Sequence, residues 1–248
     1  MVRGTGTALN VATILLGSGV GVALGGQLPV RTRDTVTDAL GLVTLVIGGL
    51  NVMALSDPSY RRAVSPGGTL LVVLGALLVG GIVGSLLRLE DRLEQVGVRL
   101  QRRLVADGSG EGRARFVEGF VSASLVFVVG PLAVLGALSD GLGRGIEQLA
   151  LKATLDGFAA LAFAASLGWG VAASALSVGV VQGALTVLGA LLGGLLPASL
   201  VASVTATGGV LLLGVGLRLL KLKPVAVGDL LPALVAAPAL TALVDLVR

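Results

Sequence analysis

Long apolar runs separated by short polar connections constrain the fold of this chain more than any other feature. Eight runs are long enough to cross a bilayer as helices, which takes about 20 residues each. Charged residues make up 13% of the chain, against about 25% in a soluble domain, and they lie mainly between the runs. The sequence therefore predicts an all-α polytopic membrane protein with seven to eight transmembrane helices. The predicted spans are residues 8–28, 37–55, 68–87, 116–138, 149–167, 171–196, 198–219 and 230–247.

Breaks and turns inside these runs are also visible. Gly130-Pro131 lies in the middle of the fourth span, where a proline removes a helical hydrogen bond, so a kink or break is predicted there. The sequence 168–170 predicts a tight hairpin between the fifth and sixth spans. The eighth run contains two prolines and an aspartate, so it is predicted as a span, a re-entrant segment or an interfacial segment.

Composition excludes several classes of function. The chain has no Cys and no His, which excludes disulfides, thiol chemistry, Cys/His metal sites and imidazole proton relays. Neither a P-loop nor a Ser/His arrangement is present, so we expect no enzymatic activity and no cofactor. The chain is basic, but its basic residues lie in loops without stacking aromatics. This pattern indicates membrane topology, and no nucleic-acid partner is expected.

The longest polar segment, 88–115, contains seven arginines and five acidic residues. Its first half is predicted to form an amphipathic helix on the membrane surface, followed by a Gly-Ser-Gly-Glu-Gly linker. The segment is predicted to be either a solvated connector or a docking site for a partner. Twelve Lys and Arg residues lie on the side of this segment and six on the other, which predicts that it is cytoplasmic and that both termini are outside.

An internal repeat appears at an offset of 168 residues. Because the offset spans an odd number of helices, the two copies would cross the bilayer in opposite directions, an arrangement typical of secondary transporters. The predicted domains are residues 1–87 as the first repeat, 88–115 as the cytoplasmic segment, 116–168 as two central helices, and 169–248 as the second, inverted repeat. The matching pairs include Gly21 and Gly189, Leu24 and Leu192, Val36 and Val204, Thr37 and Thr205, Gly41 and Gly209, Leu45 and Leu213, and Gly48 and Gly216.

Polar residues inside the central spans are the candidate site, because a bilayer interior does not tolerate such groups without partners. Asp156 lies in the fifth span with Lys152 one turn earlier. The pair is either an intrahelical ion pair near the outer interface, with a snorkelling lysine, or a carboxylate that binds a cation or proton beside an internal counter-charge. Asp140, before Gly141, is expected in a loop turn.

Further candidates surround this pair. Glu118 lies two residues into the fourth span and is either a first-turn carboxylate or part of a pathway. Gln182 lies deep in the sixth span, as packing glue or as a ligand. Gly130 and Pro131 free backbone carbonyls that a cation could use. Asp156 and Glu118 are the candidate metal ligands, and such hard oxygen ligands suit manganese or magnesium better than zinc or copper.

Several short motifs in one order resemble a known family. They are FVEGF, VGP, SDGL, K-x-x-x-LDG, V-x-QG, GGxxL and a closing LLPA. This set is similar to the bacterial membrane family catalogued as domain of unknown function 554, over nearly the whole chain. The resemblance implies an integral protein of the bacterial cytoplasmic membrane and no assigned activity.

A second likeness concerns residues 155–219. LDGFAALAFAASLGWG, followed by two glycine-rich spans, resembles the three-helix units of small bacterial manganese and lysine exporters. This implies cation export with Asp156 at the corresponding place. The first repeat departs from the pattern, since its first span carries Asn10 where the motif has an aspartate.

Together these features predict a secondary transporter of a small solute or cation, in a divalent-metal or proton-coupled version. Glu118, Asp156, Lys152, Gln182, Gly130 and Pro131 are the predicted site. The alternative is a membrane scaffold or regulator that acts through residues 88–115. The expected partners are the lipid bilayer and a small solute or cation. The glycine-rich faces are compatible with internal packing alone or with a homo-oligomer.

Overall fold

The computed structural model describes residues 2–25, 29–104, 110–128, 131–192 and 197–247. Within these ranges the protein is all-helical and contains no strand. A 3₁₀ turn, Met53–Ser56, follows α2. The α-helices are α1 Thr5–Gly25, α2 Val30–Val52, α3 Pro58–Val64, α4 Gly68–Leu86, α5 Leu89–Leu104, α6 Gly110–Val128, α7 Pro131–Gly141, α8 Glu147–Leu167, α9 Gly170–Leu192, α10 Ala198–Leu219, α11 Val227–Leu230 and α12 Ala233–Val247.

Seven helices in the described part of the chain are long and apolar enough to cross a membrane. An eighth crossing is formed if the bent pair α6 and α7 is one span, with helix axes that differ by 77°. This confirms the predicted count of seven to eight and the predicted break in the fourth span. Pro131 opens α7, whereas Gly130 lies outside the described residues.

Helix boundaries agree with the sequence prediction in several places and differ in others, including α2, which begins at Val30 and not at residue 37. The hairpin at residues 168–170 is confirmed, because α8 ends at Leu167, Gly168 takes a positive φ of 76°, and α9 begins at Gly170. The amphipathic helix is confirmed as α5. Residues 110–115 were predicted to belong to the linker and loop, but they form the first turns of α6. The eighth run is divided into α11 and α12, with Pro232 between them.

Two compact units make up the chain. The first unit is Met1–Leu40, Glu94–Val128 and Leu132–Gly194, and the second is Gly41–Leu93, Val129–Pro131 and Leu195–Arg248. Each unit therefore draws on segments from both predicted repeats. The predicted domain division and the inverted repeat stay predictions.

In the first unit, α1 and α8 run in parallel at very close range. A Cβ atom placed on Gly17, Gly21 or Gly25 would lie 2.2 Å from a backbone carbonyl oxygen of α8. These oxygens belong to Gly157, Leu161 and Ala165, so the contact repeats once per helical turn. Only residues without a side chain permit this approach, and small residues at helix interfaces serve the same purpose in membranes generally. The stripe fixes the register of α1 on α8.

In the second unit, glycines of α4 and α2 provide the close contacts. A Cβ on Gly84 would lie 1.9 Å from the carbonyl oxygen of Asp229, and one on Gly80 would lie 2.3 Å from the amide nitrogen of Ala233. Apolar clusters fill part of the remaining core. One of its clusters contains Tyr60, Ala63, Val64, Val72 and Ala202, and a second contains Ala76, Ala233 and Ala237.

Large apolar side chains cover the outside of the long helices. Leu16 is 69% exposed, Leu71 67% and Leu191 78%. In water such faces would be unfavourable, whereas lipid tails are as apolar as these side chains. The exposed leucines therefore mark the faces that contact lipid.

Candidate ion-binding site

Lys152 and Asp156 form a buried ion pair near the middle of α8. The Nζ atom of Lys152 lies 2.7 Å and 2.9 Å from the two carboxylate oxygens of Asp156. The two residues are four apart, so they share one face of the helix, and they are only 6% and 7% exposed. The predicted intrahelical pair is confirmed. The lysine is enclosed and does not snorkel.

Asn10 of α1 joins this pair to α9. Its Nδ2 atom donates to Asp156 Oδ2 at 3.0 Å and to Gln182 Oε1 at 3.3 Å. The glycine stripe described above places α1 close enough to α8 for a side chain as short as asparagine to reach the carboxylate. Asn10, Lys152, Asp156 and Gln182 form what we call the central cluster, and all four lie in the first unit.

Two polar atoms of the central cluster have no hydrogen-bond partner among the described residues. They are Oδ1 of Asn10 and Nε2 of Gln182, and both residues are 0% exposed. A buried polar atom without a partner costs about 1–3 kcal/mol, and native proteins contain few of them. The cluster thus holds one free acceptor and one free donor beside a buried ion pair.

Hydroxyl groups extend the polar surface along the crossing of α1 and α9. Thr7 lies one turn before Asn10, and Thr186 lies one turn after Gln182. Their Oγ1 atoms are 3.3 Å apart, and both residues are buried. These hydroxyls continue the polar surface of the cluster from Asn10 towards the start of α1.

Asp140 closes this end of the first unit, contrary to its predicted loop position. It lies in the last turn of α7 and is 2% exposed. Its two carboxylate oxygens accept hydrogen bonds from the backbone N–H groups of Gly4 and Gly6, each at 3.0 Å. The carboxylate therefore caps the positive end of α1. It ties the second half of the broken span to the helix that carries Asn10.

The structure unites only part of the predicted site. Lys152, Asp156 and Gln182 meet in the central cluster. Glu118 is half-buried on α6 and shares no hydrogen bond or ion pair with the cluster. Pro131 begins α7, whereas Gly130 is outside the described residues.

The contacts of Asp156 and Glu118 do not test the prediction that these two carboxylates bind a metal ion. The described residues contain no group of three or more His, Cys, Asp or Glu side chains that could hold a metal ion. The Asp156 carboxylate is bonded to Lys152 and Asn10. Asp156 and Glu118 as metal ligands stay a prediction.

Sequence reasoning gave Asn10 no role in the site. Two signals could have found it. It is a polar residue in an otherwise apolar span, and the same span carries glycines at positions 17, 21 and 25, four residues apart. Such spacing indicates a helix that packs at close range, and a buried asparagine beside it would need a partner on the neighbouring helix.

A second charged cluster, which we call the end cluster, lies in the second unit. Glu90, at the start of α5, accepts hydrogen bonds from the Arg218 guanidinium and from the backbone N–H of Gly228 at 2.6 Å. Its own backbone N–H donates to Asp229 at 2.9 Å. The end cluster joins the ends of α5, α10 and α11, where backbone groups need partners.

The fold and the central cluster define a class. The chain is an all-helical membrane protein with a buried, charged and incompletely bonded site in mid-helix. It belongs to the family described as "Protein of unknown function (DUF554)", whose sequence signature matches residues 5–242. The family resemblance predicted from the motif order is confirmed.

Two relatives are similar over nearly their whole length. One is the "Uncharacterized protein YqgA" of Escherichia coli (strain K12), 30% identical over 237 residues that cover 96% of each chain. The other is the "Uncharacterized membrane protein YdfK" of Bacillus subtilis (strain 168), 26% identical over 233 residues that cover 94% of this chain and 93% of the relative. No solved structure matches the chain.

Proposed function

We propose that this protein is a secondary transporter of a small cation, that it resides in the bacterial cytoplasmic membrane, and that the central cluster is its binding site. One observation carries the proposal. An ion pair is buried in mid-helix beside two amide atoms that lack partners. Ionisable groups in such a place are costly and mark ion or proton pathways in membrane proteins.

A purely structural role explains this cluster poorly. Replacing a buried ion pair by apolar side chains is often neutral or stabilising. Two fully buried amides that each leave an atom unbonded add a further cost of about 1–3 kcal/mol per atom. A site that binds and releases a ligand must have unbonded polar atoms while it is empty. A binding role therefore accounts for the cost of the buried ion pair and for the cost of the unbonded amide atoms.

The broken span supports a transport role. Transporter sites often lie beside discontinuous helices near the bilayer midplane. Here α7, the second half of the broken span, ends against the helices that form the site. Asp140 of α7 caps α1, and a Cβ on Gly141 would lie 2.0 Å from the carbonyl oxygen of Thr186 on α9. A shift of α7 would therefore change its contacts with both α1 and α9.

Contacts between α2 and α10 support the predicted inverted repeat. Gly48 and Gly209 are in backbone contact, since a Cβ on Gly209 would lie 2.7 Å from the carbonyl oxygen of Gly48. A Cβ on Gly216 would lie 3.1 Å from the carbonyl oxygen of Gly41. At the offset of 168, Gly41 corresponds to Gly209 and Gly48 to Gly216. Each glycine thus contacts the counterpart of the other, which is the reciprocity of a two-fold axis.

Roles within the site follow from charge and position. Asp156 supplies the charge that a cation needs, and Lys152 neutralises it while the site is empty. Asn10 orients the carboxylate and is itself held by Gln182, and both residues offer amide groups to the ligand. Glu118 and Ser122 lie one turn apart on α6, and Ser122 is buried with an unbonded hydroxyl oxygen, so this face of α6 is the proposed route towards the site.

The test is a binding screen by thermal unfolding of the purified protein in detergent. Chlorides of lithium, sodium, potassium, magnesium and manganese, together with amino acids, are added to wild type, Asp156→Asn and the end-cluster control Glu90→Gln. A ligand that binds only the folded state raises its stability by about 2.7 kcal/mol at a concentration of 100 times its Kd. We expect a ligand that shifts wild type and Glu90→Gln but not Asp156→Asn.

The opposite result would favour the scaffold alternative. If no ligand shifts any variant and Asp156→Asn melts like wild type, the ion pair has no binding role. The described part of residues 88–115 makes contacts within the protein. Glu90 is already engaged by Arg218, and a Cβ on Gly97 would lie 3.3 Å from the Phe120 ring, so α5 packs against α6.

A further inference from the structure

We propose that the central cluster exchanges one proton for one monovalent cation, and that the cation replaces the Lys152 ammonium at Asp156. This inference rests on the proposed function and names its substrate class. It follows from the charge inventory of the first unit, from the number of carboxylates and from the unbonded atoms of the site.

The helices that form the site bring no further charge to the central cluster. Neither α1 nor α9 contains an ionisable side chain, and α8 contributes only Glu147 besides the pair. On α7, Asp140 is bound to the start of α1. Other charged residues on the elements packed against α8 are Glu111, Arg113, Arg115 and Glu118 of α6, and Arg31, Arg33, Asp34 and Asp38 of α2.

Apart from Arg33, whose side chain lies outside the described part of the structure, none of these groups shares a hydrogen bond or an ion pair with the cluster. Helix α2 meets α8 at Ser166, ten residues along the helix from Asp156. The hydroxyl of Ser166 is bonded to Thr37. The central cluster therefore holds one negative and one positive charge. Its burial favours states in which the sum stays zero, because an uncompensated charge in this environment costs several kcal/mol.

Neutrality limits the ligand to a single positive charge. Once Lys152 has released its proton, the site carries the charge of Asp156 alone. A monovalent cation restores neutrality, whereas a divalent cation would leave one uncompensated positive charge in the central cluster. The described residues offer no cluster of three carboxylates that could balance such an ion. The divalent-metal version of the function predicted from the sequence is therefore the less favourable one.

The oxygen atoms of the central cluster are suited to a hard monovalent cation. The Asp156 carboxylate, the unbonded Oδ1 of Asn10 and the Oε1 of Gln182 are hard oxygen donors of the kind that such cations prefer. Hydroxyls of Thr7 and Thr186 lie one turn further along the same helices. The free Nε2 of Gln182 cannot bind a cation, but it can donate to the oxygen of a water molecule that the cation retains.

The exchange is balanced in charge and atoms. The Lys152 ammonium transfers one proton to water, and its nitrogen keeps the electron pair. The cation then occupies the place beside the carboxylate that the ammonium has left. No covalent bond to the protein is made, and the cluster is neutral before and after the step. Only one of the two positive charges is present at a time.

The test measures protons released when a cation binds. Purified wild-type protein in weakly buffered detergent solution is titrated with lithium, sodium or potassium chloride, and a pH indicator reports the released protons. Tetramethylammonium chloride controls for ionic strength. We expect about one proton per bound cation and an apparent Kd that falls about tenfold for each unit rise in pH, as linkage between one proton and one cation requires.

Variants at Lys152 show whether the binding of the cation depends on the release of the proton. Lys152→Arg keeps a positive charge and five donors, but a guanidinium does not deprotonate in proteins, so this variant should fold and lose cation binding. Lys152→Met leaves the place beside Asp156 vacant. It should bind the cation without releasing a proton, and its melting temperature should rise on cation addition by more than that of wild type. Asp156→Asn should bind no cation.

Different failures have different meanings. If no cation binds wild type at any pH, the proposed function itself fails. If a monovalent cation binds in an Asp156-dependent manner without proton release, or if Lys152→Arg binds it as wild type does, the exchange is overturned and the proposed function stands. Asp156-dependent binding of magnesium or manganese in place of monovalent ions would also overturn the exchange. If Lys152→Met does not fold, Lys152→Arg still decides the question.

Discussion

The central cluster and the end cluster use similar side chains in opposite ways. In the end cluster, Glu90 holds an arginine and a backbone N–H at the ends of helices, and each group there satisfies a need of the fold. In the central cluster, Lys152 and Asp156 lie in mid-helix, where the backbone is already fully bonded and needs no such help. Two atoms beside them remain unbonded.

Under the proposed function, this difference separates structural charges from functional ones. A charged network that bonds to the free backbone groups at helix ends contributes to stability, and it has few atoms left to bind a ligand. A charged network in the middle of a helix that includes unbonded polar atoms lowers the stability of the protein, and those atoms can still bind a ligand. Burial alone does not distinguish the two, since both are largely enclosed, with side-chain exposures of 8% and 9% for the central pair and 20% and 13% for Arg218 and Glu90.

The largest expected effect comes from breaking the central pair on one side. Lys152→Met leaves Asp156 as an uncompensated charge and should destabilise the protein by about 3–5 kcal/mol in the absence of cations. The double variant Lys152→Met/Asp156→Leu should recover most of that loss, because an apolar pair of similar volume is often neutral. Thermal unfolding in cation-free buffer measures both. A double variant as unstable as the single one would show that the pair is a structural element.

The next effect concerns the packing that brings Asn10 to Asp156. Gly21→Ala in α1 places a methyl group 2.2 Å from the Leu161 carbonyl oxygen and should cost about 1–3 kcal/mol through overpacking. Gly19→Ala on the same helix is the matched control, because a Cβ there meets nothing within 4 Å. The melting temperature of Gly21→Ala should be lower than that of Gly19→Ala. Cation binding by the two variants is a second readout. Equal behaviour would contradict the close approach of α1 and α8.

A smaller loss is expected in the end cluster. Glu90→Ala removes the acceptor of the Arg218 guanidinium and of the Gly228 N–H, and should cost about 1–2 kcal/mol. Its cation affinity should equal that of wild type, because the end cluster is assigned no part in binding. Denaturation and the binding titration measure the two quantities. A loss of affinity in a stably folded Glu90→Ala protein would remove the distinction between the clusters.

The smallest effect lies at the start of α3, outside the spans. The Asp57 side chain accepts hydrogen bonds from Ser59 N at 2.8 Å and Tyr60 N at 3.2 Å, and its bond from the Ser59 hydroxyl is the main cause that lowers the pKa of its carboxyl. Asp57→Ala should cost about 1 kcal/mol at pH 7.

This contribution depends on pH in a known direction. The folded-state pKa of Asp57 is depressed, so its stabilisation is present above the ordinary value of about 3.9 and is lost as the pH falls through the depressed value. The difference in stability between wild type and Asp57→Ala should therefore narrow as the pH falls below about 4, where the Asp57 carboxyl becomes protonated. Asp57→Ser keeps a cap without a titratable group, and its stability difference from Asp57→Ala should not change with pH.

Most of the fold could be predicted from the sequence because its signals are local. Apolar runs set the spans, Gly168 and Gly170 set the hairpin, and the proline at position 131 marks the break in the fourth span. Even the ion pair was predictable, since Lys152 and Asp156 are neighbours on one helix turn. These features depend on residues close together in the chain, and their physics does not require knowledge of the tertiary structure.

The rest of the site depends on which helices meet. Asn10 lies 146 residues from Asp156, and nothing in its own span reveals that α1 packs on α8. Asp140 was assigned to a loop because an Asp-Gly pair ordinarily indicates a turn, whereas the start of α1 supplies unpaired N–H groups that draw it into the interior. Long-range partners of this kind decide which polar residues are glue and which are ligands.

The central claim is that the protein transports ions through the central cluster. A flux measurement in vesicles tests this claim most directly. Purified protein is reconstituted into sealed liposomes that contain a pH-sensitive dye, and an inward gradient of sodium or potassium chloride is imposed. The account predicts that protons leave wild-type and Glu90→Gln vesicles as the cation enters, and that Asp156→Asn and Lys152→Arg vesicles behave like protein-free ones. Equal proton movement with Asp156→Asn, or none with well-folded wild type for any monovalent cation, would contradict it.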